Sequence, residues 1–129
     1  MSLVAAIAAT PFLLLYAAVT APQWITDHRL AGLEDRALAH PLPPGTTFAG
    51  FEPQGPVTGD SGECWAGFAF NLRTERPLEE IKRYYEAAPF TRPSTHFSGL
   101  SVITSQESAD RVWVAFDTTY SGTLDLRCW

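Results

Sequence analysis

The chain has 129 residues, two cysteines and a formal net charge of −5. It has room for one small domain, and its acidic balance argues against a nucleic-acid partner, since no basic stripe exists to neutralise phosphates. Lys82-Arg83 is the only adjacent basic pair, and it lies in a Glu-rich stretch.

The first 21 residues carry no charged side chain; every Lys, Arg, Asp and Glu falls between Asp27 and Arg127. Residues 3–21 (LVAAIAATPFLLLYAAVTA) are apolar apart from two Thr and one Pro. As a helix they would be about 28 Å long, close to the ~30 Å hydrocarbon core of a bilayer. A soluble amphipathic helix would show a polar stripe at the 3.6 period, and this run shows none. Residues 1–23 are therefore expected to be a transmembrane anchor, with a cleaved signal peptide as the competing reading. No basic residue precedes the run, Pro22 follows the best cleavage candidate (Val19-Thr20-Ala21), and Trp24 stands where an interfacial aromatic belongs. These features favour an uncleaved single-pass anchor, with Pro11 able to kink it.

Residues 24–41 form the second segment, juxtamembrane and amphipathic. Leu30, Leu33, Ala37 and Leu38 recur at helical spacing. Thr26 or Asp27 is placed to cap a new helix, and Pro41 to stop it. The helix is expected to be a spacer or to dock on the domain, rather than to form a dimer seam.

Residues 42–129 form the third segment, an α+β domain. Its start is dense in Gly and Pro, with one short strand near residues 46–51. The glycines match no phosphate or dinucleotide loop, and Asp60 and Glu63 lack the alternating oxygen ligands of a calcium loop. From Cys64 the pattern has period two. Cys64, Ala66, Phe68, Phe70 and Leu72 share one side, and Trp65, Gly67, Ala69, Asn71 and Arg73 the other. A helix follows over residues 76–88, with the stripe Leu78, Ile81, Tyr85, Ala88 and a Glu79–Arg83 pair. Strands are expected over 97–105, 111–119 and 123–129, with QESAD (106–110) and Ser121-Gly122 as turns. One helix should cover one face of a mainly antiparallel sheet.

The stretches PLPPGT (41–46) and PLEEIKRYY (77–85) together resemble a group of small bacterial membrane-anchored or exported proteins that combine a "PLPPGT" opening with a "leelkaYY" helix. The resemblance covers a minor part of the chain. It implies export and one compact α+β domain, and no activity.

Cys64 and Cys128 admit three readings. A nucleophilic thiol needs an electropositive setting, and the neighbours of Cys64 are Asp60 and Glu63. A zinc site wants about four ligands, and His28, His40 and His96 are scattered. A disulfide fits best, since strand parity turns both cysteines toward the same core; two buried free thiols are the alternative. A bridge would place the domain in an oxidising compartment. The domain is accordingly expected on the extracytoplasmic side of a cytoplasmic membrane. Arg29 and Arg36 after the anchor pull toward the cytoplasmic side, and secretion after cleavage is the other alternative.

If the cysteines point inward, Trp65 and Trp129 point outward, and so does Trp113. Together with Arg73 and Arg127 these three rings are the candidate binding residues, a platform for a protein, peptide or glycan. The competing reading has the Leu30/Leu33/Leu38 helix packed over the rings as ordinary core. Candidates for catalysis are thin: His96 stands near Ser94, Thr95 and Ser98, but no orienting acid or nucleophile elbow accompanies it. No catalytic residue, metal ligand or cofactor is assigned. The sequence is best read as a membrane-tethered, non-enzymatic binding module. Its alternatives are an accessory structural subunit of an envelope assembly and a small exported hydrolase.

Overall fold

The computed structural model describes residues 3–53, 55, 57–121 and 124–129. It is an α+β fold: α1 (Leu3–Ala39), β1 (Thr47–Glu52), β2 (Thr58–Asp60), β3 (Glu63–Arg73), α2 (Leu78–Glu86), β4 (Ser101–Ser108) and β5 (Arg111–Ser121). Short 3-10 turns occupy Pro89–Thr91 and Leu126–Cys128. The sheet is antiparallel throughout, in the order β1-β3-β5-β4, with β2 beside the first residues of β3.

The two central strands run in unbroken register from Glu63↔Ser121 to Arg73↔Arg111. Their even-numbered residues build the core: Cys64, Phe68, Phe70 and Leu72 face Val112, Val114, Phe116 and Tyr120. Phe70 lies edge-on to Phe116 at 5.2 Å between centroids, and Tyr85 from α2 meets Phe116 edge-on at 5.4 Å. Such offset ring pairs satisfy the aromatic quadrupole while filling volume.

Both helices cover this one face. From α2 come Ile81 and Tyr85, and from α1 come Leu30, Leu33 and Ala37. The expected break before residue 26 is absent. One 37-residue helix runs through both Pro11 and Pro22. A proline removes a single helix hydrogen bond, and burial of Thr26, Leu30, Leu33 and Ala37 at consecutive i+3/i+4 steps keeps the later turns helical. Thr26 and Asp27 are therefore not caps. Leu38, assigned to the apolar stripe, is 45% exposed and lies off it.

Other boundaries also move. β4 begins at Ser101 and continues through Ser108 across a bulge at Gln106/Ser108, so the expected turn over 106–110 shrinks to Ala109-Asp110. The expected last strand is not formed: residues 126–128 make a 3-10 turn, and Leu124 and Leu126 point to solvent. Gly122 and Thr123 lie outside the described residues. In α2, Pro77 sits at the N-cap rather than inside the helix. The ion pairs there are Arg76–Glu80 at 3.0 Å and Lys82–Glu86 at 4.0 Å, in place of the expected Glu79–Arg83 pair.

The stretches PLPPGT and PLEEIKRYY lie against each other. Tyr84 Oη donates to the Pro41 carbonyl at 2.6 Å, Arg76 Nε donates to the Pro44 carbonyl, and Thr46 bonds Thr74 at 3.1 Å. Both stretches thus serve one junction, where the chain leaves α1 and enters the sheet.

Candidate functional site

Cys64 and Cys128 form a disulfide, with Cα atoms 4.9 Å apart and both residues fully buried. The bridge needs close backbone approach. A Cβ on Gly59 would lie 2.1 Å from the Glu63 carbonyl and 2.8 Å from the Cys128 Cα, so only glycine fits between them. The Gly62 amide donates to the Cys128 carbonyl at 2.8 Å and closes the same corner.

The bridge fixes the C-terminal turn beside α1. Asp125, fully buried, caps that turn by accepting from the Arg127 amide at 3.0 Å. Arg127 returns its guanidinium to Asp125 at 2.6 Å and reaches Asp27 at 2.9 Å. The hydrogen bonds from Arg127 hold the Asp125 carboxyl below the usual carboxylate range, against burial, which pushes it up. Burial first, and then Asp125, push the nearby Tyr120 phenol up to about 12. This cluster is structural: it locks the end of the chain to the first helix.

With both helices on the cysteine face, no helix among the described residues covers the opposite face of the sheet, whose central pair Ala69 and Ala115 is nonetheless buried beneath its larger neighbours. Trp65 and Trp113 both project there, since both occupy odd positions of β3 and β5. The helix expected to cover the rings packs on the other side. Trp65 is 45% exposed, and Ile103 of β4, paired with Ala115 between the two rings, is 46% exposed. Trp65 stands opposite Thr119 and Trp113 opposite Asn71, six β3 positions away. At 3.3 Å per residue the rings stand about 20 Å apart, at the two ends of an elongated strip.

Each ring has polar neighbours of its own. At one end, Trp113 Nε1 donates to Glu52 Oε2 at 3.2 Å, and Asn71 donates to Glu52 Oε1 at 3.2 Å. The β1 bulge between Phe48 and Gly50 turns Glu52 to this face and Phe51 to the core. At the other end, Asp117 leans over Gly67, where a Cβ would lie 2.2 Å from its Oδ1. Trp65, Gly67, Asp117, Ser101 and Thr119 line an open depression of about 390 Å³ there.

The remaining expected residues separate. Arg73 is on the open face but at its far end, paired with Asp110 at 3.4 Å. Arg127 and Trp129 belong to the C-terminal turn, off the sheet, so they complete no five-residue platform. Glu52 and Ile103 were not legible as neighbours of the tryptophans, because a bulge and a cross-strand register put them there. His96 is exposed in a loop where the Ser94 hydroxyl accepts from the His96 and Phe97 amides at 3.4 and 3.3 Å. Among the described residues no three His, Cys, Asp or Glu side chains converge as a metal site.

No family model, curated protein or solved structure matches the chain.

Proposed function

We propose that the chain is a membrane-tethered, non-enzymatic binding module, with its domain on the extracytoplasmic side and an elongated partner, a peptide or glycan strand, received along the open sheet face. The observation that carries this reading is that Trp65, Ile103 and Trp113 share a sheet face that neither helix covers, since both helices pack on the opposite one. A separation of about 20 Å matches about six residues of extended polypeptide. Aromatic rings with a carboxylate and hydroxyls beside them suit such a ligand, because they offer stacking area and hydrogen bonds together.

The tether is α1. It is long and apolar enough to cross a membrane, and Ile7, Phe12, Leu13, Leu14, Leu15 and Tyr16 are all exposed on it. Water would not tolerate such a surface, whereas lipid would. Continuity of the helix through Pro22 favours an uncleaved anchor over a signal peptide, since cleavage after Ala21 would divide one helix. The disulfide supports an oxidising compartment, and the resemblance to exported proteins points the same way.

The test is a photo-crosslinking residue at Ile103 in the full chain, in its native membrane, with Lys82 on α2 as the control position. A defined adduct from Ile103, lost on Trp113→Ala with the disulfide intact, is expected. Equal labelling from Ile103 and Lys82 would refute the binding face.

A second reading, an accessory subunit of an envelope assembly, draws on the same continuity: a helix without a hinge passes orientation from membrane to domain. Scrambling residues 3–21 at constant hydrophobicity separates the two. A binding module keeps its Ile103 adduct, and a packed membrane subunit loses its assembly.

A further inference from the structure

Helix α1 enters the domain at one end of the sheet. Thr26 lies beside Tyr120 there, and Ala37 lies beside Phe70 at the other end. The entry end carries the C-terminal segment. Leu124 lines a depression with Pro22 and Ile25, and Arg127 donates to the Gln23 carbonyl at 3.4 Å and to Asp27 at 2.9 Å.

Large apolar side chains are exposed at that end, among polar ones. Leu124, Leu126 and Trp129 are 77%, 56% and 70% exposed; Ile25 on α1 is exposed beside Leu124, and Trp24, stacked on His28, is exposed at the same level of the helix. The Trp129 ring lies over Gly62, against the β2–β3 turn, so it is held at this end. Single exposed apolar residues need no explanation, but a cluster of large ones does.

Position along the helix supplies the explanation. The apolar run ends at Ala21, and Asp27 is six residues further, about 9 Å along the axis. A bilayer with a ~30 Å core is ~40–45 Å thick with its headgroups, so each interfacial layer is several ångströms deep. The residues beside Pro22 and Ile25 therefore sit at headgroup depth whenever α1 spans the core. Interfacial sites favour Trp and buried Leu side chains.

We propose that Trp24, Leu124, Leu126 and Trp129 form a membrane-docking rim that seats the domain in the headgroup–acyl boundary of the bilayer α1 crosses; this rests on the anchored reading above. The rim and α1 hold the domain at two points. β3 then rises away from the bilayer, and the open face stands to the side, clear of lipid. Asp60 and Glu63, exposed on the turn that the Trp129 ring lies against, keep the rim at headgroup depth, because their carboxylates must stay hydrated.

The experiment is fluorescence quenching in nanodiscs of phosphatidylcholine with brominated acyl chains. Three full-length single-tryptophan chains retain Trp24, Trp65 or Trp129, the others being Phe. The expected result is comparable quenching of Trp24 and Trp129 and none of Trp65. Quenching of Trp24 without Trp129 overturns the rim and leaves the anchor standing. Absence of quenching at both overturns the anchor as well. The unaltered chain provides an independent readout with a lipid carrying a diazirine on its acyl chain. Adducts within residues 124–129 are expected, and adducts confined to α1 refute the rim.

Discussion

Arg127 donates to the Asp27 carboxylate across 2.9 Å, joining the last turn of the chain to its first helix. The same guanidinium neutralises Asp125, which is fully buried. A buried carboxylate tolerates its position only while its charge is compensated.

Arg127→Met should therefore cost about 3 kcal/mol, because it removes the cation that compensates the buried Asp125 carboxylate. The pH dependence has a definite sign. The folded-state pKa of Asp125 is lowered, so its contribution is complete above the unfolded value of about 4 and is lost as pH falls below it. Denaturation midpoints between pH 7 and pH 3 should show the wild-type chain losing stability at the acid end. The Arg127→Met deficit should shrink there, since a protonated Asp125 no longer needs a cation.

The Cys64–Cys128 bridge closes a loop of about 65 residues and should contribute about 4 kcal/mol by restricting the unfolded chain. The Cys64→Ser/Cys128→Ser chain should unfold at correspondingly lower denaturant. Non-reducing mass spectrometry with alkylation before and after reduction checks the bridge in the native envelope. Two free thiols there would remove the main support for an extracytoplasmic domain.

The Tyr85 hydroxyl is buried with no hydrogen-bond partner among the described residues, and burial pushes its phenol far above the usual range. An unpaired buried hydroxyl costs about 1–3 kcal/mol. Tyr85→Phe keeps the ring against Phe70 and Phe116 while deleting the oxygen. It should raise the melting temperature, whereas an unchanged or lower value would mean that the hydroxyl is satisfied.

The two faces of β3 should respond differently to truncation. Phe70→Ala empties a site in the centre of the core and should cost about 3–5 kcal/mol. Trp65→Ala removes a half-exposed ring from the open face and should cost roughly 1 kcal/mol or less. Equal losses would mean that the open face is covered in the native protein.

Because Leu30, Leu33 and Ala37 are core residues, the soluble domain should extend into α1. A fragment of residues 22–129 should fold with the disulfide formed, and one of residues 42–129 should expose the sheet and aggregate. Circular dichroism and gel filtration of the two distinguish these outcomes.

Much of the fold follows from local pattern. An uninterrupted apolar run yields the N-terminal half of α1; strict alternation yields β3 and β5; the stripe of Ile81 and Tyr85 yields α2. These are the segments in which hydrophobic period alone selects the backbone. The cysteine pairing was also legible, because too few ligands accompany the thiols for a zinc site and the charges near Cys64 are acidic. Tertiary structure decided the rest. Pro22 and the Thr26/Asp27 cap signal predict a helix break, yet burial of Leu30, Leu33 and Ala37 carries the helix through, since packing outweighs one lost hydrogen bond. Alternation in the last residues predicts a strand, yet the buried Asp125 side chain and the disulfide fold them into a turn. Parity puts Trp65 and Trp113 on one face, but only the register of β3 against β5 sets them about 20 Å apart. The sequence alone determines which residues alternate, and only the packing of α1 decides which face stays open.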